Sequence, residues 1–251
     1  MNFEKKVAII TGAGSGLGYL CSDAIAKEGG CVAMVDVNKE SVYEAAEKVN
    51  AIRKGCAVPF TCDVRNYSQV KYVCEETVRI FGSIDILTNF AGGAETRVFG
   101  IHDTEFPDVP IEVYDWGVDV NLKGQIYFAH AVMRQMRKQK RGIIVNIGSI
   151  AGEEGNPVNI AYAASKSAAM SGLTKSLAMY GGQYGIRCVC VSPGPVLTRL
   201  TMSSMKTLLN RAAEPQEIVD LVLYLASEKA SFITGVNVLA DGGRNVLFNK
   251  E

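Results

Sequence analysis

Short apolar runs alternate along the chain with longer segments in which apolar residues recur at helical spacing. Continuous apolar runs of about four to eight residues are typical of strands buried on both faces of a parallel sheet. Apolar residues three and four positions apart predict amphipathic helices that cover such a sheet. The pattern predicts seven strands, over residues 6–11, 31–35, 57–64, 84–88, 143–147, 186–191 and 236–240.

Helices are predicted between these strands. The first follows a glycine-rich turn and ends near residue 27, and another lies around residue 162. The others cover residues 38–54, 68–81, 112–140 and 215–227. Strands that alternate with helices predict an α/β fold with parallel strands and right-handed crossovers. Because no linker, repeat or low-complexity tract divides the chain, we expect residues 1–251 to form a single doubly wound, Rossmann-like domain with a mostly parallel sheet of seven strands.

Polar or conformationally special residues stand at the ends of five predicted strands. In a doubly wound sheet, ligands bind in the crevice outside the carboxyl ends of the strands, and these ends share one edge. Packing alone does not explain a row of such residues, so the sequence predicts a binding site at this edge. The residues are Asp36, Asp63, Asn89, Ser149 and the pair Pro193-Gly194.

The composition excludes several classes of partner. The chain has 251 residues, 48% of them hydrophobic, and its 26 acidic and 26 basic residues balance to zero net charge. Such a balance gives no general attraction to nucleic acid or to an anionic membrane surface. No apolar run approaches the roughly 20 residues that span a bilayer, and the first residues lack the apolar core of a signal peptide. We expect neither a nucleic-acid nor a membrane partner.

The seven cysteines indicate a reducing compartment. They are scattered, odd in number and without the closely spaced pairs that are typical of metal sites. Small buried thiols of this kind are common in proteins of the reducing cytoplasm. The sequence therefore predicts a cytoplasmic protein with no metal site.

A glycine-rich turn with the sequence Thr11-Gly12-Ala13-Gly14-Ser15-Gly16-Leu17-Gly18 joins the first predicted strand to the first helix. It departs from the G-x-G-x-x-G dinucleotide fingerprint and instead places glycines at positions 12, 16 and 18. The physical reason for glycine is the same, because the backbone must turn tightly and approach a pyrophosphate at the amino end of a helix. A merely flexible turn is the weaker interpretation, since this one lies between a buried strand and a helix.

Asp36 ends the second predicted strand, about 20 residues beyond the glycine turn. A carboxylate at this place accepts hydrogen bonds from the adenosine ribose and repels a 2′-phosphate. An NADP site would need a nearby cation, yet Ser15 lies in the turn and Val37 follows the acid. The sequence therefore favours NAD(H) over NADP(H).

Tyr162 and Lys166 lie four positions apart on a predicted helix, and Ser149 ends the strand before it. Residues at this spacing share one helix face, so the ammonium can sit beside the phenol. A free phenol has a pKa of about 10, and a neighbouring cation lowers that value. Such a tyrosine could take a proton from an alcohol or return one to a carbonyl. Without the neighbouring strand end and the other motifs of the chain, a tyrosine and a lysine at this spacing would indicate only a solvated helix surface.

Together these residues resemble the short-chain dehydrogenase/reductase family. The likeness covers residues 5–243 and rests on a set of motifs in a fixed order. The motifs are the glycine turn 11–18, Asp63-Val64, Asn89-x-Ala91-Gly92, Asn121, Ser149, Tyr162-x-x-x-Lys166, Pro193-Gly194-x-Val196-x-Thr198 and Asp241-Gly242-Gly243.

The resemblance implies a role for each motif. Tyr162 would be the acid/base, Ser149 would polarise the substrate oxygen, and Lys166 would lower the pKa of the tyrosine and hold the nicotinamide ribose. Asn121 would support a water that links Lys166 to solvent. Family members are commonly tetramers with the helices around Asn121 and Tyr162 at one interface, which suggests a homo-oligomer. The cofactor would contact Thr11, Gly12, Ser15, Gly16, Leu17, Gly18, Asp36, Val37, Asp63, Val64, Asn89, Ala91, Gly92, Tyr162, Lys166, Pro193, Gly194, Val196 and Thr198.

Three departures from the family pattern affect the substrate assignment. Phe90 takes the second place of a motif often written Asn-Asn-Ala-Gly, residues 102–110 look like an insertion, and the expected substrate lid at 197–214 looks short. The last two border the expected substrate mouth. They leave open whether the substrate is a polyol, a sugar acid, a hydroxy acid or a steroid.

Two alternative functions stay open beside an NAD(H)-dependent secondary-alcohol oxidoreductase. One is a 3-oxoacyl-(acyl carrier protein) reductase, whose acidic partner could dock on a basic helix end. The other is a catalytically silent nucleotide sensor, although such proteins typically lose part of the Ser, Tyr and Lys set. The basic helix end comprises Arg134, Arg137, Lys138, Lys140 and Arg141, and its other interpretation is a cation-rich carboxyl end that complements the helix dipole.

Overall fold

The computed structural model describes residues 1–198 and 200–248, apart from the side chains at positions 200 and 201. Seven strands form one sheet in the order β3-β2-β1-β4-β5-β6-β7, and each neighbouring pair is parallel. The predicted α/β class and seven-stranded sheet are confirmed. The strands are β1 (Val7–Thr11), β2 (Cys31–Asp36), β3 (Ala57–Thr61), β4 (Ile86–Asn89), β5 (Gly142–Ile147), β6 (Ile186–Pro193) and β7 (Asn237–Ala240).

Helices cover both faces of the sheet. They are α1 (Gly16–Lys27), α2 (Lys39–Asn50), α3 (Tyr67–Phe81), α4 (Glu95–Phe99), α5 (Ile111–Val118), α6 (Gly124–Gln139), α7 (Ala151–Glu154), α8 (Ile160–Ala168), α9 (Thr174–Gly182) and α10 (Pro215–Ala226). Side chains of α1, α2 and α10 bury one face, and those of α3, α6 and α9 bury the other. Successive residues of β1 show why both are needed, since Ile9 points to one core and Ile10 to the other.

Several predicted boundaries were wrong for local reasons. The helix expected to reach residue 54 ends at Asn50, whose side chain bonds both the carbonyl and the amide of Ala57 at the start of β3. The strand expected to reach residue 64 ends at Thr61, because the chain then turns and Asp63 accepts from the amide of Asn66. Two short helices, α4 and α7, were not predicted.

The predicted helix 112–140 is interrupted. A π turn at Asp119–Lys123 separates α5 from α6, and a second π turn at Ala169–Leu173 separates α8 from α9. Such turns have one residue more than an α-helical turn and often occur at functional sites. The first contains Asn121, and the second follows the helix that carries Tyr162 and Lys166.

The crevice of the sheet opens between β1 and β4. The chain passes from β1 outward to β2 and β3 and then returns to β4 on the other side, which makes this the topological switch point. Thr11 and Asn89 are register partners at the carboxyl ends of the two strands. The Thr11 hydroxyl accepts a hydrogen bond from the amide of Ala91 at 3.0 Å, which joins the two strand ends directly.

The cysteines behave as small core residues, as predicted. All seven lie in the described part of the chain without a disulfide, and all except Cys31 are buried. Burial raises the pKa of the Cys21, Cys62 and Cys74 thiols to about 12. No helix within the described residues is both long enough and apolar enough to cross a bilayer.

Candidate active site

Lys166 and Tyr162 lie side by side on α8. The Lys166 ammonium is 5.5 Å from the centroid of the Tyr162 ring. Lys166 is almost completely buried, and its Nζ donates to the carbonyl of Ile147, the last residue of β5, at 2.7 Å. Burial lowers the pKa of Lys166 to about 8, because the charged form loses its hydration. A cation held at the end of β5 is thus brought against the phenol, as the four-residue spacing predicts.

Ser149 follows β5 by two residues and is half-buried at the same strand end. Its hydroxyl accepts from the amide of Ala151 at 3.2 Å, and the neighbouring Ile150 amide donates to the carbonyl of Pro193 at the end of β6. The serine therefore stands on the carboxyl edge of the sheet, two residues from the carbonyl that holds Lys166.

Asn121 lies in the π turn with its side chain fully buried. Its amide nitrogen donates to the carbonyls of Gly93 and Gly117, and its Oδ1 accepts from the amide of Gly93 at 2.9 Å. A Cβ built on Gly92 would lie 2.6 Å from Asn121 Oδ1 and 3.3 Å from Lys166 Nζ. The structure thus brings Asn121, Gly92 and Lys166 together beyond β4.

Two polar residues of this region were not predicted. Gln125, one helical turn beyond Asn121, is 2% exposed and donates from Nε2 to the Asn121 carbonyl at 2.7 Å. Glu95, on α4, is fully buried, and its carboxylate accepts from the amides of Ala161 and Tyr162. The only signal that the sequence could offer for them is a polar residue at a position on the apolar, core-facing side of a helix.

The glycine turn leaves room for a backbone approach. Gly12 has φ 66°, in the left-handed region that favours glycine, and a Cβ on Gly18 would lie 2.2 Å from the Gly12 carbonyl oxygen. Helix α1 begins at Gly16 behind the exposed Ser15, whose side chain makes no capping bond, while Leu17 packs against the core. The first amides of α1 therefore face the crevice without a side-chain cap.

Asp36 stands beside this turn. One carboxylate oxygen accepts from the amide of Gly14 and the other from the amide of Asn38, both at 3.0 Å. The next residue, Val37, is exposed. Among the residues that the structure describes, no cationic side chain forms an ion pair with Asp36.

Asp63 and Asn89 already have partners within the protein. The Asp63 carboxylate is paired with Arg65, whose hydrogen bonds hold the pKa of Asp63 below its usual value, and Val64 is buried. The Asn89 side chain is 1% exposed and donates to Asn146 Oδ1 at 3.1 Å within the sheet. The structure therefore uses the Asn89 side chain to join β4 to β5 and leaves almost none of the residue open to the crevice.

Backbone contacts hold the chain at residues 194 and 196, just after β6. The Gly194 amide donates to the Ala240 carbonyl, and Val196 forms an isolated bridge with Ala213. The exposed Thr198 lies just beyond, at the start of the predicted lid, where Leu200–Ser204 form a 3-10 helix. Position 199 of the predicted lid and positions 249–251 of the predicted domain lie outside the described residues.

Comparison with known proteins identifies the family. Residues 6–209 match the sequence model of the family described as short chain dehydrogenase. The chain belongs to the short-chain dehydrogenase family. This short-chain dehydrogenase is 34% identical over 254 residues to the 3-oxoacyl-(acyl-carrier-protein) reductase FabG of Thermotoga maritima, which covers 97% of this chain and 99% of the relative. It is 32% identical over 255 residues to the 7alpha-hydroxysteroid dehydrogenase of Bacteroides fragilis, with 97% and 96% covered.

A solved structure gives the same result. The structure of an NAD+-bound xylitol dehydrogenase matches this short-chain dehydrogenase with a TM-score of 0.87 at 30% identity, and covers 97% of this chain and 100% of that one. Membership of the family makes the protein an oxidoreductase that acts on alcohol or ketone substrates, and the family uses nicotinamide cofactors.

Because Lys166 is buried, the free energy of unfolding should depend on pH, and Lys166→Met should remove this dependence. The pKa of Lys166 is about 8 when folded against an ordinary 10.5, so the unfolded chain binds more protons between these values and wild-type stability rises with pH there. From pH 7.5 to 9.5 the wild type should gain roughly 2 kcal/mol relative to the variant. Urea unfolding of both proteins at three pH values measures this, and parallel curves would contradict it.

Proposed function

We propose that the protein is an NAD(H)-dependent oxidoreductase that interconverts a secondary alcohol and a ketone. The observation that carries the proposal is the buried Lys166 ammonium beside the Tyr162 ring at the end of β5. A nearby cation favours the phenolate, so Tyr162 can take the hydroxyl proton during oxidation and return it during reduction. Ser149 at the same strand end would hold the substrate oxygen.

The crevice fits a nicotinamide dinucleotide. A Cβ on Gly12 would lie 2.9 Å from the amide of Ala91, and one on Gly18 would meet the Gly12 carbonyl, so only glycine allows the close backbone contacts that shape this turn. The uncapped amides of α1 suit a pyrophosphate, and Asp36 suits ribose hydroxyls. These residues would hold a nicotinamide dinucleotide, which would supply the hydride chemistry.

The other site residues have supporting roles in this proposal. Lys166 would favour the phenolate and hold the nicotinamide ribose. Asn121 would fix the chain beyond β4 through Gly93, and would support a water that links Lys166 to solvent. The remaining contacts would come from backbone and side chains around the crevice, namely Thr11, Ser15, Gly16, Leu17, Val37, Asp63, Val64, Asn89, Ala91, Gly92, Pro193, Gly194, Val196 and Thr198.

A 3-oxoacyl-(acyl-carrier-protein) reductase is the second candidate, favoured by the relative with that activity. Its expected docking patch lies far from the site, however. Helix α6 has 16 residues and starts beside Asn121, so its basic end lies about 24 Å away at the opposite edge of the sheet. There Arg141 pairs with Asp85 and Arg137 lies over the Tyr184 ring. These contacts favour a structural role for the basic residues at the end of α6 over a docking site for a partner that delivers substrate to the crevice.

Cofactor preference tests the proposal. The wild type should bind NADH roughly tenfold or more tightly than NADPH. In the NADPH complex, Asp36 would lose its hydrogen bond to the ribose hydroxyl and would repel the 2′-phosphate instead. Asp36→Ala should remove most of that preference. The matched control is Glu40→Ala, an exposed carboxylate in the first turn of α2, which should leave it unchanged.

Fluorescence titration of both cofactors is followed by a screen for NAD reduction over polyols, sugar acids, hydroxy acids and steroids. Turnover of one of these with NAD supports the proposal and names the substrate class. Equal or tighter NADPH binding by the wild type would refute the Asp36 argument and place the acyl-reductase candidate first.

We also propose that the protein is a homotetramer of the cytoplasm. Exposed apolar side chains on the helices around the site, Val118, Ile126 and Met179, would become buried in an interface there. Light scattering should give about four times the monomer mass.

A further inference from the structure

The helix that carries Tyr162 and Lys166 lacks a cap of its own. Helix α8 starts at Ile160, and the side chain of its N-cap residue, Asn159, makes no bond to the first turn. The first amides of a helix have no partner within that helix, and leaving them buried without one is costly. Something outside α8 must satisfy them.

Glu95 supplies these bonds from 66 residues away. Its Oε1 accepts from the Ala161 amide at 2.9 Å, and its Oε2 accepts from the Tyr162 amide at 3.2 Å. The residue is 0% exposed, so water does not compete for these amides. A carboxylate at a helix amino end is also favoured by the helix dipole.

A second pair of bonds joins the same two segments. Thr96 donates to Asn159 Oδ1 from its hydroxyl at 2.6 Å and from its amide at 3.2 Å. The Asn159 side chain is thereby turned towards α4 instead of towards its own helix. A Cβ on Gly117 of α5 would lie 2.8 Å from Ala161 Cβ and 3.5 Å from Glu95 Oε2, so α5 closes over this junction.

We propose that Glu95 is a positioning residue for Tyr162, an inference that rests on the proposed function of that tyrosine. The carboxylate binds the backbone of the very residue that exchanges the proton. It belongs to the segment between Gly92 and α5 that borders the crevice, so this segment sets where the phenol stands. A displacement of about 1 Å at a reacting group can cost on the order of 100-fold in rate.

The test combines Glu95→Ala, Glu95→Gln and a matched control, Glu112→Ala, which removes an exposed carboxylate from the first turn of α5. Three quantities are measured on the full-length protein: hydrogen exchange at the amides of Ala161 and Tyr162, kcat with the substrate found in the screen, and the Kd for NADH. The exchange readout needs no substrate.

In Glu95→Ala, exchange at the two amides should accelerate about 10- to 100-fold, since each loses a charge-assisted acceptor. We expect kcat to fall by a similar factor while the Kd for NADH stays within about twofold. Glu95→Gln keeps one acceptor oxygen and should recover part of both effects, and Glu112→Ala should change neither. If Glu95→Ala does not fold, the same pattern at smaller amplitude in Glu95→Gln supports the inference.

Unchanged exchange at the two amides would refute the inference, whatever the kinetics. The inference would also be refuted if kcat and NADH affinity fell equally and exchange became faster throughout the sheet. That result would mean that the substitution destabilises the whole protein and has no specific effect on Tyr162. A wild-type protein that turns over no secondary alcohol would instead defeat the proposed function, while the exchange pattern still decides whether Glu95 holds Tyr162.

Discussion

Tyr162→Phe is expected to lower kcat by roughly 100- to 10,000-fold, the range that a positioned acid or base contributes. The substitution keeps the ring beside Lys166 and removes only the hydroxyl that we propose exchanges the proton. The Kd for NADH should therefore stay within about twofold. Initial rates of alcohol oxidation and fluorescence titration of NADH measure the two quantities.

Tyr72→Phe is the matched control for this variant, since that tyrosine is 59% exposed on α3. It should leave both quantities unchanged. A Tyr162→Phe protein that keeps kcat within tenfold of the wild type would remove Tyr162 from its proposed role. If the wild type itself turns over no substrate while binding NADH, the silent-sensor interpretation takes its place.

Gly18→Ala should be the most damaging substitution in the glycine turn. Its Cβ would lie 2.2 Å from the oxygen and 2.7 Å from the carbon of the Gly12 carbonyl, and both are backbone atoms. The space beside Gly12 is also tight, since a Cβ built on that residue would lie 2.9 Å from the amide nitrogen of Ala91. We expect a loss of about 3 kcal/mol in the free energy of unfolding, together with a loss of NADH affinity.

Gly172→Ala is the control for that prediction. This exposed glycine lies in the second π turn, and a Cβ there would meet nothing within 4 Å. Alanine should be neutral or should stabilise the protein by up to about 1 kcal/mol, since it restricts the unfolded chain. Urea unfolding compares the two variants, and a wild-type midpoint for Gly18→Ala would show that α1 can shift away from the turn.

The sheet could be predicted from the sequence because its signals are local. A run such as the five apolar and β-branched residues of β1 identifies a doubly buried strand by itself, and the alternation of strands with helices then leaves few topologies. Helices α4 and α7 have five and four residues, too few to show a periodicity. The π turns likewise leave no local pattern, because they differ from the flanking helix by a single extra residue.

The site could be predicted in part for the same reason. The Tyr162–Lys166 spacing and the glycine turn are local, and the structure places both at the carboxyl edge of the sheet. The bonds of Glu95 depend on a partner 66 residues along the chain, which no local pattern encodes. For Asn89, the position at a strand end was correct, but only the structure shows that its side chain bonds Asn146 inside the sheet.

The bonds of Glu95 and Thr96 to the start of α8 also define how this enzyme can be engineered. If the proposed site is correct, residues 97–110, which lie between Thr96 and α5, are the stretch to exchange for loops of other specificities. A graft that begins at residue 93 would separate the carboxylate from the amides of Ala161 and Tyr162 unless 159–162 were transplanted with it. An exchanged segment should therefore begin at residue 97, after Glu95 and Thr96.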